Sequence, residues 1–193
     1  MTDAPDIEYA ESCNPEPVKV LGVLIPYFRV GHRLLLKQIH SPFVEGGMVG
    51  AEELATAVHI LSRTYSQAKR SIHFGNSISV RLWAYKIGFM AARNPGLIKQ
   101  SSEALFEYIQ ECQKGPKGVF VPMDTPRTHA PETLLLVRDL SNHYGYSVEE
   151  VMEMPMRRAI IERYGVLESE NAVKWSMPKN VNLHVDGKQV ACG

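Results

Sequence analysis

Apolar residues recur at intervals of three and four along most of this chain, which is the spacing that lines one face of an α-helix. In 51–63, for example, Leu54, Val58 and Leu61 fall on one side, and two acidic residues stand near the start. The same periodicity predicts helices at 30–40, 51–63, 77–93 and 97–114, and three shorter ones between 131 and 167. The pattern therefore predicts a mainly α fold of about seven helices, in a single helical domain that covers 18–170.

Short extended segments are predicted near both ends of the chain. The β-branched and aliphatic residues from Val18 to Ile25 predict a strand that packs on the helices. In 181–185, apolar and polar residues alternate before Asp186-Gly187, a dipeptide typical of a hairpin turn. On either side of the helical domain, the sequence predicts a flexible acidic N-terminal arm at 1–17 and an extended C-terminal tail at 171–193.

The segment 77–93 is the most apolar of the predicted helices. Its apolar side chains, among them Trp83, Tyr85 and Phe89, cover most of the circumference instead of one stripe. A helix of that kind is either central in a core or part of an interface. We therefore expect these three side chains to be buried, by this chain or by a partner.

Residues that begin and end helices are dense between 131 and 167. Pro131 suits the first turn of a helix, and Gly145 suits the left-handed residue that ends one. Ser147 and Glu150 have the spacing of a capping box, in which each side chain accepts a hydrogen bond from the backbone N–H of the other residue. These signals predict a helix at 131–144 and a second helix that begins after Ser147.

Pro155 and Gly165 continue this series of signals. A proline stops a helix or begins the next one, because it lacks the N–H that an interior position needs. Pro155 is therefore predicted to separate the second helix from a third, and Gly165 to end the third. Val148, Val151 and Met152 are predicted to lie on the buried face of the second helix.

The joint between these helices has a distinctive residue pattern. It reads Tyr144-Gly145-Tyr146-Ser147-x-x-Glu150-Val151-Met152-x-Met154-Pro155-Met156. This pattern resembles the C-terminal segment of tail assembly chaperones and related small tail proteins of tailed bacteriophages. In those proteins an aromatic-rich turn, S-x-x-E-(aliphatic) and (aliphatic)-P-(aliphatic) lead into a last helix. The resemblance covers 131–167 most closely and 30–66 more loosely.

The resemblance implies a non-enzymatic protein that acts by contact with phage tail or virion components, or with further copies of itself. It implies no cofactor, and a location in the host cytosol during assembly or in the virion. We expect the apolar residues of the motif to bind the partner and the helix-end residues to form structural joints. The expected contacts are Tyr144, Tyr146, Val148, Met152, Met154, Pro155 and Met156. The expected joints are Gly145, Ser147, Glu150 and Gly165.

Composition and charge narrow the classes of partner. The 193 residues include 21 Lys and Arg and 21 Asp and Glu, so no net field favours nucleic acid or an anionic membrane. The longest apolar run near the start is much shorter than the roughly 20 residues that a membrane helix needs. Three widely spaced cysteines without a C-x-x-C motif suit a reducing, cytosolic compartment. We therefore predict protein partners, with no nucleic acid and no membrane.

One alternative function is DNA binding. Ser141, Gly145 and Val151 have the spacing of a helix-turn-helix motif, which would make the chain a regulator. The helix that would read the DNA carries an exposed acidic face with Glu149, Glu150 and Glu153, and it has no Lys or Arg. Because attraction to phosphate dominates nucleic-acid affinity, this charge argues against the alternative.

The other alternative is an enzyme of a family that the sequence does not identify. The seven histidines include no motif such as H-E-x-x-H, and no G-x-S-x-G elbow is present. The glycines of loop 43–50 match neither phosphate-binding fingerprint. Loop 115–130 is long enough either to link subdomains or to bind a ligand. The sequence therefore predicts no catalytic, cofactor or metal residues.

Overall fold

The computed structural model describes residues 14–73, 78–94, 96–115, 131–170, 183–185 and 188–190. Helices dominate these residues, so the predicted mainly α fold is confirmed. The helices are α1 (Val30–Gln38), α2 (Pro42–Glu45), α3 (Ala51–Leu61), α4 (Tyr65–His73), α5 (Ile78–Arg93), α6 (Leu97–Gln113), α7 (Glu132–Tyr144), α8 (Val148–Glu153) and α9 (Met156–Ser169). The strands are β1 (Val18–Val20), β2 (Val23–Ile25), β3 (Leu183–Val185) and β4 (Lys188–Val190).

Helix α3 lies at the centre of the core. Its fully buried side chains are Leu54, Ala55, Ala57, Val58, Ile60 and Leu61. The alanines let other elements approach closely, and the branched side chains fill the space between them. As a result, α3 contacts α1, α4, α5 and α6 as well as strand β2.

Helix α5 does not take the central position that its composition allows. Ile87 is buried and Trp83 is partly buried, whereas Tyr85 and Phe89 are 80% and 55% exposed. Their exposure follows from packing, because the contacts of α5 with α3 and α6 leave its outer side open. Within the described residues nothing therefore buries Tyr85 and Phe89, and their burial by a partner stays a prediction.

The predicted N-terminal strand is a β-hairpin. β1 and β2 pair antiparallel, with Val18 opposite Ile25. The turn between them has φ angles of 51° at Leu21 and 80° at Gly22, a left-handed pair that matches the twist of a two-residue hairpin. The hairpin contacts α6 through β1 and α3 through β2, and so covers one side of the helical core.

The predicted C-terminal strand is also paired. β3 and β4 form an antiparallel hairpin, with Leu183 opposite Val190. The turn dipeptide Asp186-Gly187 lies outside the described residues. So do the first 13 residues of the predicted arm and 116–130, most of the predicted loop.

An isolated antiparallel β-bridge between Arg29 and Pro155 links the segment before α1 to the segment before α9. Across this bridge the N–H groups of Val30 and Met156 donate to carbonyls of the opposite segment, at 3.1 and 2.7 Å. Both donors belong to first turns, where a helix leaves N–H groups without a partner. The β-bridge therefore fixes the α8–α9 joint against the start of α1.

Gly165 does not end a helix, and the joint predicted there is wrong. Helix α9 continues through it to Ser169, and the next residue, Val166, is buried. Burial of Val166 offsets the cost of an interior glycine, which is about 1 kcal/mol relative to alanine. A Cβ at Gly165 would lie 3.3 Å from the Tyr144 hydroxyl, so the glycine makes room for that tyrosine.

Candidate protein-docking surface

The joint between α7 and α8 has the geometry expected from its sequence. Gly145 has φ of 75°, and its N–H donates to the Ser141 carbonyl at 3.0 Å. The Ser147 N–H donates to the Glu150 carboxylate at 2.8 Å, and the Glu150 N–H donates to the Ser147 hydroxyl at 3.2 Å. These hydrogen bonds from the Ser147 backbone and side chain hold the pKa of Glu150 below its usual value. The joint is therefore closed by local contacts alone.

The methionines that follow this joint are core residues. Met152, Met154 and Met156, all expected to contact a partner, are buried in the hydrophobic core. Their apolar pattern is satisfied by packing within the chain. This corrects the expected contact set for Met154 and Met156, since a buried side chain is not available to a docking protein without a rearrangement. Met152 differs from them because its small exposed part lines a groove on the surface. Pro155 is partly buried and forms the β-bridge with Arg29 immediately before α9.

Val148, unlike these methionines, is exposed. It was expected on the buried face of α8, but the structure leaves it 51% exposed. It borders a groove between α4 and α8 with a volume of about 460 Å³. The residues that line this α4–α8 groove are Tyr65, Ser66, Lys69, Arg70, Val148, Glu149 and Met152.

The α4–α8 groove combines an apolar floor with a charged rim. Val148, Met152 and the Tyr65 ring supply apolar surface. Lys69 and Arg70 are exposed on the α4 side, and the Lys69 ammonium lies 5.7 Å from the centre of the Tyr65 ring. Such a groove can accept an apolar side chain whose neighbours carry negative charge.

Glu153 holds the two walls of the groove together. Its carboxylate accepts hydrogen bonds from the N–H groups of Tyr65 and Ser66, at 2.9 and 2.8 Å, and so caps the start of α4 from α8. Arg29 lies 3.5 Å from the same carboxylate. Partial burial would raise the pKa of Glu153, but the hydrogen bonds and Arg29 outweigh it and hold the pKa below its usual value. This role of Glu153 cannot be seen in the sequence, because its partners are far away in the chain.

Tyr65 is fixed by a close approach to α1. A Cβ at Gly31 would lie between 2.3 and 2.8 Å from three atoms of the Tyr65 ring, which is closer than atoms can pack. The absence of a side chain at Gly31 therefore lets the ring pack directly against the α1 backbone. The sequence shows a glycine near the start of this helix but not the ring that needs it.

The tyrosines of the motif form a second surface feature, outside the groove lining. The rings of Tyr144 and Tyr146 are 5.7 Å apart, and the Tyr144 hydroxyl donates to the Glu162 carbonyl at 3.3 Å. Partial burial and the charge of Glu162 raise the pKa of Tyr144. The ring of Tyr144 is nevertheless 44% exposed, so it stays accessible to a partner.

His32 is a structural histidine in the core. Its Nδ1 accepts from the Arg29 N–H at 3.3 Å, and its Nε2 lies 2.9 Å from the Arg63 carbonyl. The neutral ring with its proton on Nε2 satisfies both contacts. Burial, followed by the charge of Arg29, lowers the pKa of His32 to about 4.

His59 lines a separate cavity of about 290 Å³ between α3 and its neighbours. Its Nε2 is buried without a hydrogen-bond partner, and burial followed by the charge of Arg63 lowers its pKa to about 4. Across the described ranges, no three His, Cys, Asp or Glu side chains are grouped so that they could hold a metal ion.

Helix α8 occupies the place of the recognition helix in the DNA-binding alternative. It has six residues, and Glu149 and Glu150 are exposed on it. Carboxylates at these positions would face the phosphates that a recognition helix must approach.

Comparison with family models, with curated proteins and with solved structures gives no match to this chain. Among the helices that the structure describes, none combines the length and apolar character needed to cross a bilayer.

Proposed function

We propose that this protein is a non-enzymatic component of a tailed bacteriophage or prophage-like particle, which acts by protein–protein contact as a tail assembly chaperone or tail accessory protein. The observation that carries the proposal is the position of residues 144–156. This segment bears the resemblance to small tail proteins, and it places Val148 at the edge of the α4–α8 groove.

The frame around that segment supports a docking role. Gly145 and the Ser147–Glu150 capping box fix one end of α8, and the β-bridge at Pro155 fixes the other. Glu153 ties α8 to α4 across the groove. A surface held in this way loses little conformational freedom on binding, which favours association.

The partner expected at the groove presents an apolar side chain beside carboxylates. Val148 and Met152 would bury the apolar group, while Lys69 and Arg70 would attract the charge. The expected partners are tail or virion proteins, met in the host cytosol during assembly.

Co-expression with the products of the flanking reading frames tests the proposal. Tagged wild-type chain is expected to co-purify with a tail-tube or tape-measure protein. Val148→Glu should abolish co-purification, because it places a carboxylate among the apolar residues that line the groove. Leu134→Glu is the matched control, since Leu134 is 54% exposed on α7 and outside the groove lining.

Three results would overturn the proposal. The first is that no neighbouring product is retained by the wild-type chain, and the second is that the two variants behave alike. The third is retention of duplex DNA at about 0.15 M salt, since that would favour the regulator alternative.

A further inference from the structure

Helix α5 has an apolar side that nothing in the described part of the chain covers. Leu82, Tyr85 and Phe89 are 66%, 80% and 55% exposed, and Ala92 is also exposed. Ile87, which points the opposite way, is buried against the core. The helix therefore has one apolar side that this fold uses and a second that it does not.

The spacing of the exposed side chains is that of a helix–helix seam. Leu82 and Phe89 are seven residues apart, as are Tyr85 and Ala92, with alternating steps of three and four between them. These are the a and d positions of a heptad, whose side chains pack into a facing helix. We call Leu82, Tyr85, Phe89 and Ala92 the α5 seam.

The charged residues that flank the α5 seam are all cations. Arg81 is exposed beside it at the g position, and Lys86 and Arg93 are exposed at the e positions. Helix α5 contains no Asp or Glu, and none occurs anywhere in 54–102. That stretch of a chain with no net charge contains Arg63, Lys69, Arg70, Arg81, Lys86, Arg93 and Lys99.

Gly88, also next to the seam, leaves space for a close neighbour. A glycine is unfavourable inside a helix, and a Cβ at Gly88 would meet no atom of the described residues within 4 Å. Packing within the described part of the chain therefore gives no reason for a glycine there. Its lack of a side chain lets another backbone approach α5 beside Phe89.

We propose that the α5 seam binds a partner α-helix whose own apolar a and d residues are flanked by carboxylates. The apolar side chains of the two helices interdigitate, and the partner's Glu or Asp residues pair with Arg81, Lys86 and Arg93. This interaction goes beyond the proposed function and does not require the α4–α8 groove.

The charges disfavour a second copy of this chain as the occupant. Facing copies of α5 would set Lys86 and Arg93 against the same cations in an antiparallel pair, and Arg81 against Lys86 in a parallel one. Like charges at these positions oppose pairing, whereas carboxylates favour it.

The side chains also disfavour nucleic acid and lipid. Single-stranded nucleic acid needs free aromatic faces, but the Arg93 guanidinium lies 4.4 Å from the centre of the Phe89 ring and covers one face. A helix that lies in a membrane interface inserts a broad apolar face, whereas the α5 seam is a strip of a and d positions.

Binding of designed peptides by the full chain tests the proposal. The probe is a labelled helical peptide of about three heptads, with Leu at a and d and Glu at e and g. The matched peptide has Lys in place of each Glu. By fluorescence anisotropy the acidic peptide should bind at least about ten-fold more tightly than the basic one, with the difference reduced at about 0.3 M salt.

Charge reversal separates specific pairing from general attraction. Lys86→Glu with Arg93→Glu should invert the preference, so that the basic peptide binds more tightly. Lys19→Glu with Lys37→Glu changes the net charge equally at exposed positions on β1 and α1, and should keep the original preference. Unchanged circular dichroism is required of both double variants.

The apolar part is tested by Tyr85→Gln, which should weaken binding of the acidic peptide at least about ten-fold. Leu134→Gln, an exposed apolar position on α7, should not. Equal binding of the two peptides by the wild-type chain would overturn the proposal. So would a dimer in solution that Tyr85→Gln dissociates, or binding of anionic vesicles or single-stranded DNA that Lys86→Glu with Arg93→Glu abolishes while the peptides do not bind.

Discussion

Glu153→Ala is expected to destabilise this protein, whereas Glu149→Ala, one turn earlier on the same helix, is not. Glu153 accepts hydrogen bonds from the N–H groups of Tyr65 and Ser66 and lies 3.5 Å from Arg29. Glu149 is exposed and makes no hydrogen bond or ion pair with the described residues. From the sequence alone both carboxylates belong to an exposed acidic face, and the structure corrects this for Glu153.

The magnitude follows from the contacts that are lost. Removal of a side chain that caps a helix costs about 1 kcal/mol, with a range of roughly 0.5–2. The Arg29 side chain, which is only 15% exposed, would also lose its carboxylate and add roughly 0.5–1 kcal/mol. The sum is about 2 kcal/mol for Glu153→Ala, against less than about 0.5 kcal/mol for Glu149→Ala.

Thermal and urea denaturation, followed by circular dichroism, measure both variants against the wild-type chain. For a protein of this length, about 2 kcal/mol corresponds to a fall of roughly 4–8 °C in the melting temperature. Glu149→Ala should stay within about 2 °C of the wild type. Equal melting temperatures for the two variants would refute the argument that Glu153 caps α4.

Other perturbations follow from the same contacts. Because the pKa of His32 is about 4 in the folded chain and near 6.5 when unfolded, protonation favours unfolding. The free energy of unfolding should therefore fall as the pH drops from about 6.5 to about 4, and a pH series on His32→Gln should show a flatter profile. Gly145→Val should cost about 2 kcal/mol by urea denaturation, because a β-branched residue is strained at a φ of 75°. Ile87→Ala should cost about 2–5 kcal/mol and Tyr85→Ala less than about 0.5, and similar costs would contradict the orientation of α5.

The features that the sequence predicts well are formed by contacts between residues that are close together in the chain. The left-handed Gly145 and the Ser147–Glu150 capping box depend on residues within three or four positions, so their spacing is sufficient. The hairpin of β1 and β2 is also local, although the sequence predicts only a single strand there. The overall class also follows from periodicity, since most helices need one buried stripe.

The features that it misses depend on contacts between distant parts of the chain. Glu153 and Tyr65 are 88 residues apart, and no local pattern distinguishes a capping carboxylate from an exposed one. In the sequence Gly165 looks like a helix end, but in the structure it gives space to the side chain of Tyr144. Apolar residues such as Met152 and Tyr85 read alike in sequence, although packing buries the first and exposes the second.

The central claim is that a protein partner docks in the α4–α8 groove, and hydrogen exchange on the complex tests it most directly. The chain is measured alone and bound to the flanking-frame product with which it co-purifies. We expect slower amide exchange in α4 (Tyr65–His73) and α8 (Val148–Glu153) on binding, and loss of this protection in Val148→Glu. Protection confined to other helices, with these two unchanged, would contradict it.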